Sequence, residues 1–192
     1  LELEGAVRTF IAVELPQHVK AALEEVQKEL KETGADVRWV RPESIHLTLK
    51  FLGEIDEESV VRIRKVMEGV ASAHRPFEVE VKGMGCFPNL KQPRVIWVGV
   101  LDRQKALASL QEGVEEAVGL LGFEREERPF RPHLTLGRVR TAKGRQALLE
   151  RMGSMLGQEF GTFEVHSVIL FKSDLHPSGA RYTPLWEMAL GG

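Results

Sequence analysis

The tetrapeptide His-Leu-Thr-Leu stands twice in this chain, at His46–Leu49 and again at His133–Leu136, 87 positions apart. On a strand, successive side chains point to opposite faces, so each copy sets its histidine and threonine on one face and its two leucines on the other. The leucines then face a core and the polar pair faces outward. Taken singly, either copy reads as the polar face of a half-exposed strand. An identical pair in similar surroundings needs a common explanation, and two such strands meeting across a cleft would converge four polar side chains.

Those side chains suit phosphate chemistry. Imidazole titrates near neutral pH, so of two histidines on either side of a substrate one can accept a proton while the other donates one. The hydroxyls of Thr48 and Thr135 each have a donor for a nonbridging phosphate oxygen.

Competing chemistries find little support. Cys86 is the single cysteine, which excludes an internal disulfide and a cysteine-rich zinc site, and its neighbours Gly85, Phe87 and Pro88 offer no base. The six histidines show no His-Glu-x-x-His spacing, so no metal or other cofactor is expected. Gly83-Met-Gly-Cys-Phe-Pro88 lacks the Gly-Lys-Ser/Thr ending of a nucleotide-binding loop and reads as a turn. No apolar run nears the roughly 20 residues that cross a bilayer, and the opening Leu1-Glu-Leu-Glu-Gly5 does not read as a signal peptide, so a cytoplasmic location is expected.

The net charge of −2 is not that of a general polyanion binder, but Arg125 to Arg145 holds seven bases (Arg125, Arg128, Arg131, Arg138, Arg140, Lys143, Arg145) against two acids (Glu126, Glu127). The second motif lies inside this basic stretch. It reads equally as a solvated arginine-rich face or as a contact to a phosphate backbone.

Periodicity predicts helices over 17–31, 57–73, 103–121 and 143–152, with apolar residues at three- and four-residue steps. Strands are expected at 8–15, 37–40, 45–52 (closed by Gly53), 77–81, 94–100, 133–139, 161–171 as one long strand, and 182–190. Many alternate apolar and polar residues, which favours α+β with antiparallel sheets over a parallel doubly wound sheet. The two halves of the chain read as variants of one plan, each giving one His-Leu-Thr-Leu strand to one of two lobes. His18 is expected on the surface, and His166 to be structural or exposed.

Together with the paired motifs, Arg8-Thr-Phe-Ile-Ala-Val-Glu-Leu-Pro16, Trp39-Val40, His46-Leu-Thr-Leu-Lys-Phe-Leu-Gly53, Gly85-Cys-Phe-Pro88, Pro93-Arg-Val-Ile-Trp97 and Arg131-Pro-His-Leu-Thr-Leu136 resemble the bacterial and archaeal 2′-5′ RNA ligase family. Its members are RNA 2′,3′-cyclic phosphodiesterases of the two-histidine phosphoesterase superfamily. The resemblance runs from Arg8 to about Leu190. It implies an α+β bilobal fold over residues 1–192, with two antiparallel sheets flanked by helices and pseudo-twofold symmetry about a central cleft, one motif per lobe.

The resemblance also implies the chemistry: opening of 2′,3′-cyclic phosphates on RNA ends, tRNA fragments among them, to 2′-phosphates without metal or ATP, and reversible 2′-5′ joining. His46 and His133 would be the acid/base pair and Thr48 and Thr135 the phosphate clamps, with Arg138 at a position that contacts the substrate; independently of the resemblance, the guanidinium groups of Arg138 and Arg131 could supply charge against the phosphate. Phe51 matches an aromatic near the nucleobase, although strict alternation from His46 puts it on the opposite face. Phe51, Trp97 and Tyr182 read as stacking candidates or as plain core packing, and Lys50 and Arg41 as contacts to the RNA backbone or as solvated surface. A monomer is expected. The rivals are a phosphodiesterase for another cyclic or 2′-5′ nucleotide, and a noncatalytic module that binds RNA ends.

Overall fold

A computed structural model describes residues 5–177 and 179–191; Leu1–Glu4, with most of the opening segment read above, lie outside it. Among the described residues, nine strands and four α-helices follow one another as β1 (Val7–Glu14), α1 (Gln17–Lys31), β2 (Val37–Trp39), β3 (His46–Ile55), α2 (Glu57–Ala73), β4 (Phe77–Phe87), β5 (Val95–Leu101), α3 (Ala106–Gly119), β6 (His133–Val139), α4 (Arg145–Gly153), β7 (Glu159–Val165), β8 (Ser167–Asp174) and β9 (Arg181–Ala189). All strand pairings are antiparallel. The fold is α+β, and among the described residues no helix is long and apolar enough to cross a membrane.

Two sheets carry the architecture, a four-stranded one in the order β3-β1-β8-β9 and a five-stranded one in the order β2-β6-β5-β4-β7. Each motif strand, β3 or β6, pairs with a strand that precedes it by one helix, β1 or β5, and the two sheets share a spatial plan once β2 is set aside. The lobes are not the halves of the sequence, as the internal resemblance suggested. β4 comes from the first half and joins the second motif's sheet, while β8 and β9 come from the second half and join the first motif's sheet.

The helices cross over as well. α1 follows β1 but lies against β7 of the opposite sheet, and α3 follows β5 but lies against β3. An apolar stripe explains the burial of α1: Val19, Leu23, Val26 and Leu30 recur on one side of it and are all buried. These residues belong to a hydrophobic cluster that also takes Leu47, Leu49, Leu134 and Leu136 from the motif strands. Both motifs thus obey the alternation read from sequence, leucines inward and His-x-Thr on the other face.

Three local expectations are overturned. Gly83–Phe87 is not a turn but the second half of β4, with a bulge near Gly83; Gly85 is required there because a Cβ would lie 2.4 Å from the indole of Trp97. Gly53 does not end β3, which passes through it at a φ of 78° and pairs it with Thr9. The expected strand 161–171 is two strands in different sheets, broken at His166, because the chain leaves one lobe for the other at that residue.

Candidate phosphoesterase site

Both motif strands carry the same irregularity at the same place. Ile11 pairs with Lys50 and Ala12 with Thr48, so Leu49 has no residue opposite it; Ile96 pairs with Gly137 and Trp97 with Thr135, so Leu136 has none. A bulge of one extra residue reverses the alternation beyond it. Leu49 and Leu136 are each the third residue after the histidine, so both strands turn over together.

The reversal decides what faces the cleft. Phe51 rejoins the face of His46 and Thr48, with its ring 6.0 Å from that of Phe10, its cross-strand partner, and the side chain 72% exposed. Unbroken alternation puts it on the wrong face. Arg138 occupies the corresponding place after His133, exposed on the face of His133 and Thr135. One structural position therefore holds an aromatic ring in one lobe and a guanidinium in the other.

Lys50 is moved the opposite way. It is buried beside Leu49, with Nζ 2.8 Å from Glu115 Oε2 on α3 and 2.6 Å from the carbonyl of Glu124, so it cannot meet an RNA backbone as its exposed-looking sequence setting suggested.

His133 is steadied by the backbone two residues before it. Nδ1 of His133 donates to the Arg131 carbonyl at 2.7 Å, which leaves Nε2 for a ligand, and the Ser44 backbone, at the same relative position, favours the charged form of His46. Aromatic rings surround both. His46 lies among Phe171, Tyr182 and Phe10, at ring distances of 4.5, 5.1 and 6.0 Å, and His133 meets Phe87 edge-on at 4.9 Å. Burial among these rings, helped by the nearby Lys20 ammonium, lowers the His46 pKa from 6.5 to about 4, against the Ser44 hydrogen bond and the Glu14 carboxylate, which act to raise it. His46 is therefore uncharged at neutral pH.

A cavity of about 420 Å³ opens beside His46, with Glu14, Glu43, Glu187, Arg41, Arg181 and Tyr182 in its wall. His133 is not in that wall. Tyr182 is half-buried and available from the cavity, whereas Trp97 lies over Gly85, with its ring 5.2 Å from Phe87, and is used in packing. Arg131 is exposed just before β6, and Arg41 is exposed with Glu43 3.6 Å away. His18 is exposed with Nε2 2.8 Å from the Thr162 carbonyl, His166 is exposed, and Cys86 is buried with its thiol pushed up to about 11. Among the described residues, no three His, Cys, Asp or Glu side chains are grouped to hold a metal ion.

Two residues escaped the sequence reading. Gln27 on α1 donates from Nε2 to the carbonyl of Leu136 at 2.9 Å, and to that of Val40 at 2.7 Å; Gln111 on α3 reaches the carbonyl of Leu49 at 3.5 Å. Each glutamine is buried and addresses the extra residue of the bulge in the sheet across from its own preceding strand. Their place on the apolar stripes of α1 and α3, where a polar residue is out of pattern, was the available signal.

The family model described as LigT like Phosphoesterase matches the chain over residues 13–97 and again over 98–182. The chain belongs to this phosphoesterase family. Two adjoining matches agree with the doubled strand, bulge and glutamine. An RNA 2′,3′-cyclic phosphodiesterase of Methanothermobacter thermautotrophicus is 37% identical over 93% of this chain and 96% of its own, and one of Archaeoglobus fulgidus is 36% identical over 93% and 98%. Among solved structures, a protein of Thermus thermophilus superposes with a TM-score of 0.82 at 32% identity, covering 96% of this chain and 98% of that one. E. coli LigT complexed with 3′-AMP gives 0.75 at 25% identity, over 96% and 98%.

Proposed function

We propose that this LigT-like phosphoesterase is an RNA 2′,3′-cyclic phosphodiesterase that opens the terminal cyclic phosphate of an RNA to a 2′-phosphate. The observation that supports it most is the pair of His-x-Thr motifs, held on equivalent strands of two sheets by equivalent bulges. In-line displacement at phosphorus needs a base on the side of the entering oxygen and an acid on the side of the leaving one.

In this reading His46, uncharged at neutral pH, takes the proton from water as the water oxygen bonds to phosphorus. The bond from phosphorus to O3′ breaks, and His133 gives O3′ its proton from Nε2. The phosphate stays on O2′. Thr48 and Thr135 donate hydroxyl hydrogens to the nonbridging oxygens, Arg138 and Arg131 offset their charge, and Phe51 and Tyr182 present ring faces to the terminal base. A 5′-hydroxyl in the place of water would leave a 2′-5′ linkage, the reverse of cleavage by the same groups.

The test is incubation with an RNA ending in a 2′,3′-cyclic phosphate in the presence of EDTA, with identification of the product. A 2′-phosphate is expected, and His46→Ala or His133→Ala should each lower turnover by about 10² to 10⁴. A 3′-phosphate product, or turnover only after metal is added, would overturn the mechanism; tight binding without turnover would favour a module that only recognises RNA ends.

A further inference from the structure

β2 is the strand by which the two sheets differ, and it brings Arg38 directly opposite Arg138. Opposed residues of an antiparallel pair share a face and hold their Cβ atoms about 5 Å apart, where like charges destabilise the sheet. The shared face is that of His133 and Thr135: Val37 and Trp39 pack against the core with Gly137, whose added Cβ would meet Val37 at 2.6 Å and Trp39 at 3.0 Å, and Arg38 alternates away from them. Both arginines are exposed, and among the described residues neither forms an ion pair. The nearby Asp36 carboxylate instead accepts from the Thr141 hydroxyl at 2.9 Å. Two cations set side by side without a counterion fit an anionic ligand.

Resting on the activity proposed above, we infer that Arg38 extends the anion site of Arg138 along the RNA, with Arg138 toward the reacting phosphate and Arg38 on the phosphodiester that precedes the terminal nucleotide. Arg138 is on the motif strand itself. Arg38 is one strand further out, by about 4.8 Å, and so further from the phosphate between the histidines. The cavity beside His46 differs in being of mixed charge, with three carboxylates (Glu14, Glu43, Glu187) set among two guanidinium groups (Arg41, Arg181), and it offers the Tyr182 ring in its wall. The strand backbone therefore belongs over the five-stranded sheet and its terminal base toward the four-stranded one.

The proposal separates two substrates of the same reaction, a mononucleotide 2′,3′-cyclic phosphate and a short RNA ending in one. Arg38→Ala should lower kcat/KM for the RNA about tenfold more than for the mononucleotide, through KM, and Arg38→Lys should restore part of the loss. In parallel, anisotropy of a fluorescent RNA ending in a 2′-phosphate, titrated over a range of salt, should give Arg38→Ala a slope shallower by about 0.7, the single-stranded value for one phosphate contact. Equal losses on both substrates, or an unchanged salt slope, would overturn the assignment. If the wild-type protein opens neither cyclic phosphate and the slopes still differ, the activity reading fails and the arginine clamp stands.

Discussion

Gln27, buried on α1, donates a hydrogen bond to the carbonyl of Leu136, the unpaired residue of the bulge that turns Arg138 toward the cleft. Gln111 repeats the arrangement toward Leu49 and Phe51. Removing the amide of Gln27 takes the side-chain donor from the Val40 carbonyl and leaves the Leu136 carbonyl with only the Val40 N–H at 2.9 Å, at about 1–3 kcal/mol. Gln27→Met should lower stability by that amount in urea denaturation, because Gln27 serves two carbonyls at 2.7 and 2.9 Å; Gln111→Met should also destabilise, because Gln111 Nε2 donates to the buried Glu115 carboxylate at 3.3 Å besides reaching the Leu49 carbonyl at 3.5 Å. The surviving folded protein should show a raised KM for RNA as Arg138 loses its fixed aim.

Lys50 and Glu115 form an ion pair whose side chains are 6% and 4% exposed. Glu115→Leu alone should cost about 3–5 kcal/mol, since it strands a buried ammonium. The double variant Lys50→Met with Glu115→Leu should recover most of that loss. Thermal melts of the three proteins check it, and a double variant as unstable as the single one would refute the pairing.

The depressed pKa of His46 ties stability to pH. The unfolded chain takes up this proton near 6.5 and the folded one only near 4, so the unfolded state binds more protons between these values and stability falls as pH is lowered through that window. The full loss is about 3 kcal/mol. His46→Asn should flatten the decline of the urea midpoint between pH 7 and pH 4 relative to the wild type.

The same displacement shapes activity. If His46 is the base, kcat/KM holds its value on lowering the pH through 6 and falls with a midpoint near 4, the free protein's value. A fall centred at the ordinary imidazole position would remove His46 from that role.

Phe51→Ala should leave the melting temperature almost unchanged, because the ring is 72% exposed. Its effect should fall on KM for RNA, by roughly the 1–3 kcal/mol of one base stacked on an aromatic ring.

Much of this was legible in the sequence because it is periodic. The alternation of His46-Leu-Thr-Leu49 and the three- and four-residue steps of α1 were enough to fix which residues face the core. The bulges were not legible, since an extra residue leaves no mark on composition and is seen only when both strands are placed; hence alternation alone gives Phe51 the wrong face and Lys50 the wrong surroundings. Sheet membership was hidden for a similar reason. Nothing between Val165 and Ser167 announces that the chain changes lobes, because His166 serves either a continuous strand or a break.

The crossed helices bear on how such a chain could have arisen. Each half sends its glutamine to the other half's bulge, so a polypeptide of half this length, built on the same plan, would leave its glutamine without that bulge carbonyl and its own bulge carbonyl without a side-chain donor. Two copies of that shorter chain would satisfy each other. The arrangement is that of a homodimer with its subunits joined end to end, after which one copy was free to keep a ring at the position where the other kept a cation.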